Sequence, residues 1–540
     1  MEEDRAGGMR LPVTASCTDN QTENESPTEI VPAEVWLDIF EQIPNSTDLY
    51  GVASTCKKFW DLTTRVRHRD IVWRTPEHVA QDLPVWETFL NMEPYVRSLT
   101  VSVNKSFRGS FGNVVDLDRS ISSRAGGARD TLYRLDRMYA SYPLHEMMLE
   151  KIGQFTNLAS LTFADMYVQD LHFTLIHNLP KLRTLKLERC AIKTRMVEPM
   201  NHKRLPITDL TMLNVSRSRV PDPHGPIEHF VPSEGMSYAL ALCTARDLRS
   251  LTIDASADVF RAVFNSLEAP ARGWTIPAHL EHIFVVQKRP CGAGEKAPAA
   301  TAFFPNAPGE GAFPDAHLYH FCVQATGLRT ISTPVFVPAQ ITIAPEALPP
   351  GLERFAAPVE TAQLVAGARA VQALGLLKFG VGLREGVSAL AGIGKKRRDL
   401  KMLMVDCKEW DVEIVPAVAK EFKQLRRLKI VYDGPGPSED FVVALAPDYL
   451  VQLPELHTLE IYEMPRGGSY VPDRPEYLFD DTFGSIEEEL KNLVIPWNRF
   501  CPKLRRVQLH AGYVMARGFD GASWNLERVC RLPVKDELDF

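Results

Sequence analysis

The spacing His317-x-x-His320-x-Cys322 sets two imidazoles and a thiol on one helical face, the donor types that zinc prefers. A zinc site wants four ligands, and no second cluster accompanies these three, so no metal is expected. Gly394-Lys395 ends what would be a phosphate-binding loop, in which backbone amides cradle oxygens. Ala389 stands where the first glycine belongs and Lys396 replaces the hydroxyl, so it is not a nucleotide site. The run Lys395-Lys396-Arg397-Arg398, next to Asp399, reads as a solvated turn rather than an import signal. His279 and His282 flank a strand pattern and read as surface or packing residues. The sequence has no H-E-x-x-H, no G-x-S-x-G and no G-x-G-x-x-G opening a helix. Cys56 or Cys407 as a nucleophile would need a nearby base and a positive setting, and Cys56, on the Val52 side of a helix, reads as packing. The expectation is a chain with no catalytic residue, no cofactor and no metal.

If no side chain reacts, function falls to the elements themselves, and residues 30 to 67 are the most telling. Pro32 is preset for a first helical turn, and Val35, Ile39 and Ile43 recur every four positions. Trp36, Leu37 and Phe40 lie beside that stripe, so the helix is apolar over much of its circumference. After Pro44-Asn45, Ser46 or Thr47 can cap a second helix bearing Leu49 and Val52, and a third carries Cys56, Phe59, Trp60 and Val66. A segment of about 40 residues rarely buries a core unaided, and no disulfide or metal spacing staples this one. A second polypeptide is expected to complete it.

The order Pro32-x-Glu34, Ile39-Phe40, Ile43, Asp48-Leu49 and Cys56-Lys57-Lys58-Phe59-Trp60, followed by Val72-Trp73-Arg74, resembles an F-box. It departs from that pattern at Ile30-Val31, where a leucine commonly precedes the proline. The resemblance covers residues 30–74 and implies a non-catalytic substrate receptor of a cullin-RING (SCF-type) ubiquitin ligase. It implies docking on a Skp-family linker protein, and through it a cullin, with an unknown protein substrate held elsewhere. The residues it assigns to the linker are Pro32, Glu34, Trp36, Leu37, Ile39, Phe40, Ile43, Leu49, Val52, Phe59 and Trp60, some of which must instead hold the three helices together. The alternative is a repeat scaffold for protein interaction without a ubiquitin role.

Charge and cysteine usage narrow the partners. The formal charge is −7, and the first 30 residues, with seven acids against two bases, hold −5 of it; 1–29 is expected to be a disordered acidic tail. The rest is nearly neutral and offers no footprint for nucleic acid or an anionic membrane. Nine cysteines without a C-x-x-C pair fit a reducing compartment, and no run of 18 apolar residues or signal-like start occurs, so the expected setting is cytoplasmic, nuclear or both.

Beyond the head, one phrase returns: apolar, two residues, apolar, one residue, apolar. It occurs at Val96-Leu99-Val101, Leu158-Leu161-Phe163, Leu182-Leu185-Leu187, Ile207-Leu210-Met212, Leu248-Leu251-Ile253 and Leu280-Ile283-Val285. It occurs again at Leu400-Leu403-Val405, Leu425-Leu428-Ile430, Leu456-Leu459-Ile461 and Leu504-Val507-Leu509, with degenerate copies at Leu328-Ile331, Leu352-Phe355 and Val371-Leu374-Leu376. Such a phrase suits a short strand with alternate side chains in a core. Helical spacing lies between copies, as at Val168, Leu171 and Leu175, at Val418 and Phe422 after Pro416, and at Ile486, Leu490 and Leu493 before Pro496. The copies resemble leucine-rich repeats, although only Leu182-x-x-Leu185-x-Leu187-x-x-Cys190 keeps the expected Asn or Cys. The fold class expected is α/β: a three-helix F-box at 30–74, then an irregular leucine-rich-repeat-like α/β solenoid, a horseshoe or arc, over 75–540. Long insertions are expected near 106–130, 288–314 and 465–475.

Overall fold

The computed structural model of the chain describes residues 31–529 apart from 44–45, 89–91, 103–141, 194–201, 214, 218–241, 255–275, 287–320, 322, 334–343, 380–382, 408, 433, 464–482 and 519–522. The tail expected over 1–29, the three expected insertions and nearly all of the His317–Cys322 motif lie outside the described residues. The chain divides into two compact units, Met1–Asp70 and Ile71–Phe540.

The first unit is three short helices, α1 (Ala33–Glu41), α2 (Ser46–Ala53) and α3 (Lys57–Arg67). Pro32, with φ of −55°, opens α1 without a side-chain cap. Cys56 does not pack beside Val52 as expected; its Sγ accepts the Phe59 backbone N–H at 3.5 Å and so caps α3. The interior is small. Phe40, Leu49 and Leu62 are buried, and Ala33, Trp36, Leu37, Ile43, Val52, Phe59 and Val66 close around them. Three rings lock α1 to α3, with centroids 4.6 Å apart for Trp36–Phe59, 5.1 Å for Phe40–Phe59 and 5.8 Å for Trp36–Phe40. Thr63 and Thr64 are buried in α3 because their hydroxyls donate to the carbonyls of Phe59 and Trp60, each at 2.6 Å.

In the second unit every phrase is a strand. The strands up to the middle, phrase copies and others, are β1 (Asp70–Trp73, which starts at the last residue of the first unit), β2 (Ser98–Val101), β3 (Ser160–Ala164), β4 (Tyr167–Gln169), β5 (Thr184–Glu188), β6 (Ala191–Lys193), β7 (Asp209–Leu213), β8 (Ser216–Arg217), β9 (Ser250–Asp254) and β10 (His282–Val286). The rest are β11 (Thr330–Ser332), β12 (Arg354–Pro358), β13 (Ala373–Phe379), β14 (Met402–Cys407), β15 (Arg427–Tyr432), β16 (Thr458–Glu463), β17 (Arg506–His510), β18 (Tyr513–Arg517) and β19 (Trp524–Arg528). Sixteen of them form one sheet in chain order, skipping only β4, β6 and β8, which make a separate three-stranded sheet. The degenerate copies are true members: β11, β12 and β13 pair in parallel register with their neighbours. This is the repeat solenoid that the phrase predicts. Trp73, read with the helical head in the sequence, lies fully buried in this unit's core, its indole N–H donating to Asp82 at 2.9 Å.

One backbone contact recurs at each junction. The carbonyl of the residue just before a strand accepts two N–H groups from the next repeat. Arg97 O takes Ala159 N and Ser160 N, Lys401 O takes Arg426 N and Arg427 N, and His457 O takes Arg505 N and Arg506 N, at 2.7–3.1 Å. The register that follows stacks the phrase residues into rows, and Leu161, Leu185, Leu403, Leu428 and Leu459 are all essentially inaccessible. Each such side chain contributes about 1.5–3 kcal/mol by burial. The alternate residues form rows of other character: hydroxyls at Thr211, Thr252 and Ser332, apolar Ala356 and Met404, then charged Lys429 and Glu460. Arg427 reaches Glu460 across this face, Nη2 at 2.9 Å and Nε at 3.3 Å from Oε2.

The corners after β3 and β5 use left-handed backbone at Asp165 (φ 55°) and Arg189 (φ 53°), whose side chains form a two-pronged ion pair at 2.7 and 2.8 Å. Beside it the Cys190 thiol, at the Asn or Cys position of the repeat pattern, donates to Phe163 O at 3.2 Å. Helix boundaries depart from the sequence reading. Val168 is in β4, Leu171 is 48% exposed, and the helix Asp170–His177 instead buries His172, Phe173, Leu175 and Ile176. Pro416 and Pro496 lie inside the helices Ile414–Glu421 and Ile486–Trp497 rather than bounding them. The Lys395–Arg398 run is a solvated turn only in part: Lys395 and Lys396 end the helix Leu383–Lys396 exposed, Arg398 is exposed in the turn with Asp399, but Arg397 is buried, donating to Ala368 O and to Asp399.

The array ends differently from how it runs. β17 pairs antiparallel with β18 through a turn at Gly512 with φ of 80°, and β18 pairs antiparallel with β19. Arg505 O, the last of the junction carbonyls, takes Arg517 N of this hairpin at 2.8 Å. Removing side chain from a phrase position is expected to cost far more than from an outward helix position. Leu428→Ala should lower stability by about 2–5 kcal/mol and Leu171→Ala by less than about 0.5 kcal/mol, read as the shift in urea midpoint by circular dichroism.

Candidate docking surface

The three-helix unit divides the residues assigned to linker binding into three groups. Phe40 and Leu49 are interior and hold the helices together. Trp36, Leu37, Ile43, Val52 and Phe59 are half-buried around them. Pro32, Glu34, Ile39 and Trp60 are exposed, Ile39 by 46% and Trp60 by 40%. Two apolar residues outside that set also face outward, Val35 at 45% and Tyr50 at 53%. Val35 and Ile39, four apart, share one stripe of α1, while the same helix turns Trp36 and Phe40 inward. The i, i+4 repeat shows this stripe in the sequence but does not say which side is inside. Tyr50 has no sequence signal at all: its ring lies 4.5 Å from the Arg67 guanidinium, seventeen positions away.

The reactive side chains of the second unit are placed for packing. The thiols of Cys190 and Cys243 are pushed up to about 12 by burial and that of Cys501 to about 11, far from a nucleophile's range. Among the described residues no group of three or more His, Cys, Asp or Glu side chains is arranged to hold a metal. Four histidines meet in pairs along successive repeats, His145 with His172 (centroids 5.1 Å) and His177 with His202 (Nε2 to Nδ1, 3.0 Å). His172 Nδ1 accepts the Gln169 N–H at 3.1 Å, while its Nε2 is buried without a hydrogen-bond partner. A cleft of about 600 Å³ opens beside His177, with Asn178 and Arg204 in its wall. No described helix is long and apolar enough to cross a membrane.

No protein-family model and no curated protein matches the chain. Among solved structures it is similar to an internalin from Listeria monocytogenes, at 15% identity over 58% of this chain and 70% of that one, with a TM-score of 0.26. It is also similar to TLR13 in its complex with ssRNA13, at 12% identity over 58% of this chain and 44% of that one, with a TM-score of 0.25. Likeness this distant carries no functional weight, and the repeat architecture stands on strand order and register.

The histidine pairs give the second unit a pH dependence. Burial, reinforced by His145, pushes His172 down to about 3, and burial, reinforced by His177, pushes His202 to about 4, from an ordinary value of 6.5. The unfolded chain therefore binds more protons than the folded one between about pH 6.5 and pH 3, so these groups lower stability as pH falls through that window. Thermal unfolding at pH 5 should come at lower temperature than at pH 7.5, and His172→Gln should flatten the difference.

Proposed function

We propose that the chain is a substrate-recognition adaptor whose helical unit docks on a Skp-family linker and, through it, a cullin, while the repeat unit holds a protein target. The observation that carries this reading is the outward apolar surface of a unit too small to waste it: Val35, Ile39, Tyr50 and Trp60 stay exposed although, among the described residues, its apolar centre is little more than Phe40, Leu49 and Leu62. The F-box resemblance names the occupant, since Pro32, Glu34, Ile39 and Trp60 of that pattern are on the surface. Burial of each large apolar side chain is worth about 1.5–3 kcal/mol and association costs on the order of 4–15 kcal/mol, so several anchors are needed together.

On this reading no residue of the chain reacts. Its contribution is to raise the local concentration of a target lysine near the transferring subunits, which converts a bimolecular encounter into an effectively intramolecular one. The described cysteines, Cys56, Cys190, Cys243, Cys407 and Cys501, are all free of disulfides, in keeping with a reducing cytoplasmic or nuclear setting. The full chain with Val35→Asp and Ile39→Asp should lose co-purification of a Skp-type linker. Its circular dichroism should be unchanged, because both side chains already face water. A linker that stays bound to this variant refutes the assignment and leaves the repeat scaffold without a ubiquitin role.

A further inference from the structure

The cleft beside His177 lies where helix Asp170–His177 of one repeat gives way to the short turn His202–Arg204 of the next. Its volume of about 600 Å³ is that of a small-ligand site, which runs from about 300 to 1,000 Å³. Two successive repeats each bring a Leu-Pro step to its wall, Leu179-Pro180 and Leu205-Pro206, so the apolar lining is stiff, each proline fixing its own φ. Several polar groups of the wall have no partner within the described chain. Arg204 is exposed and makes no hydrogen bond or ion pair there, and neither does the Asn178 side-chain amide. The carbonyls of His177 and Asn178, at the end of the helix, accept no N–H from the described residues. Arg183 donates to Pro206 O at 3.1 Å, which brings a second guanidinium to that side of the cleft.

No described residue of the wall is Asp or Glu. Asp170 is at the opposite end of the helix, and Asp209 accepts the Thr208 hydroxyl at 2.9 Å. Burial alone lowers the His177 pKa, and burial together with His177 lowers that of His202, so no carboxylate acts on either imidazole. The two rings, joined Nε2 to Nδ1 at 3.0 Å, are neutral at pH 7, and Arg204 supplies the charge of the cleft. A ligand for this wall needs an apolar body for the Leu-Pro steps, a carboxylate for the arginine fork and an N–H for the helix-end carbonyls. A bare anion such as phosphate has neither the body nor the donor, and the negative end of the helix disfavours it. An N-acylated apolar amino acid has all three parts, whether free or as the last residue of a polypeptide.

We propose that this cleft captures the C-terminal residue of a partner protein, its apolar side chain against the two Leu-Pro steps and its carboxylate on Arg204. A polypeptide end suits the site better than the free acid, because Thr174, Asn178, Pro180 and Arg204 are exposed at the rim and leave a way out for the preceding residues. The inference rests on reading the second unit as the half that holds a protein target, but not on the linker.

The test titrates the full chain with fluorescein-labelled pentapeptides Gly-Ser-Gly-Ser-X, where X is Leu, Val, Phe or Trp, and reads anisotropy. Saturable binding of at least one free acid is expected. It should weaken about tenfold or more when that peptide is amidated at its C-terminus, and by a similar factor in Arg204→Gln, whose exposed side chain can change without unfolding the chain. Thr174→Trp, which fills the mouth from an exposed helix position, should also remove binding. Arg249→Gln, the same change of charge at an exposed position of the following repeat, should leave it intact. No binding of any of the four free acids, equal binding of the amide, or equal loss from Arg204→Gln and Arg249→Gln would each overturn the proposal. Binding of the N-acetyl form of the same amino acid as tightly as the peptide would overturn the choice of a protein end. The Val35→Asp/Ile39→Asp chain should bind the peptide normally, so failure here is distinguishable from failure of linker docking.

Discussion

The two-pronged acceptance of N–H groups by each junction carbonyl is the contact on which the second unit depends. It satisfies the backbone where one repeat hands over to the next, and it does so without using side chains. Side-chain identity at the junction is therefore free, and connections between repeats can differ greatly in length, since closing a longer loop adds little entropy cost. Irregular intervals in the sequence thus coexist with a regular sheet. What cannot vary is the row geometry: phrase residues stack on phrase residues, and whatever precedes a strand stacks on its counterpart.

This division explains what could be read from the sequence. Phrase residues such as Leu185 and Leu428 announce themselves, because a buried row tolerates only apolar side chains, and even the weak copies at Leu328 and Leu352 mark real strands. Helix limits were less legible. Pro416 and Pro496 look like stops, but Pro416 falls in the first turn of its helix, where the N–H has no intrahelical partner to lose, and Pro496 comes one residue before the end of its helix. The left-handed turns at Asp165 and Arg189 left no mark, because their ion pair joins consecutive repeats rather than sequence neighbours.

In the helical unit the legible and the hidden are reversed. The aromatic residues were plain from the start, yet their partition was not, since a helix apolar around most of its circumference can turn either side inward. Packing decides: Trp36 and Phe40 meet Phe59, and this ring cluster excludes Val35 and Ile39 from the interior. Surface and centre are thus set by one interhelical contact rather than by hydrophobicity alone.

The reversed hairpin after β17 has a consequence for solubility. A parallel array is in principle open-ended, and an unfinished last rung invites another molecule to continue it as a fibre. Among the described residues the sheet stops at β19, where Asn525, Glu527 and Arg528 are exposed, and the Arg505 carbonyl is taken by the chain's own Arg517 amide, so this edge offers charged side chains rather than an unfinished parallel rung.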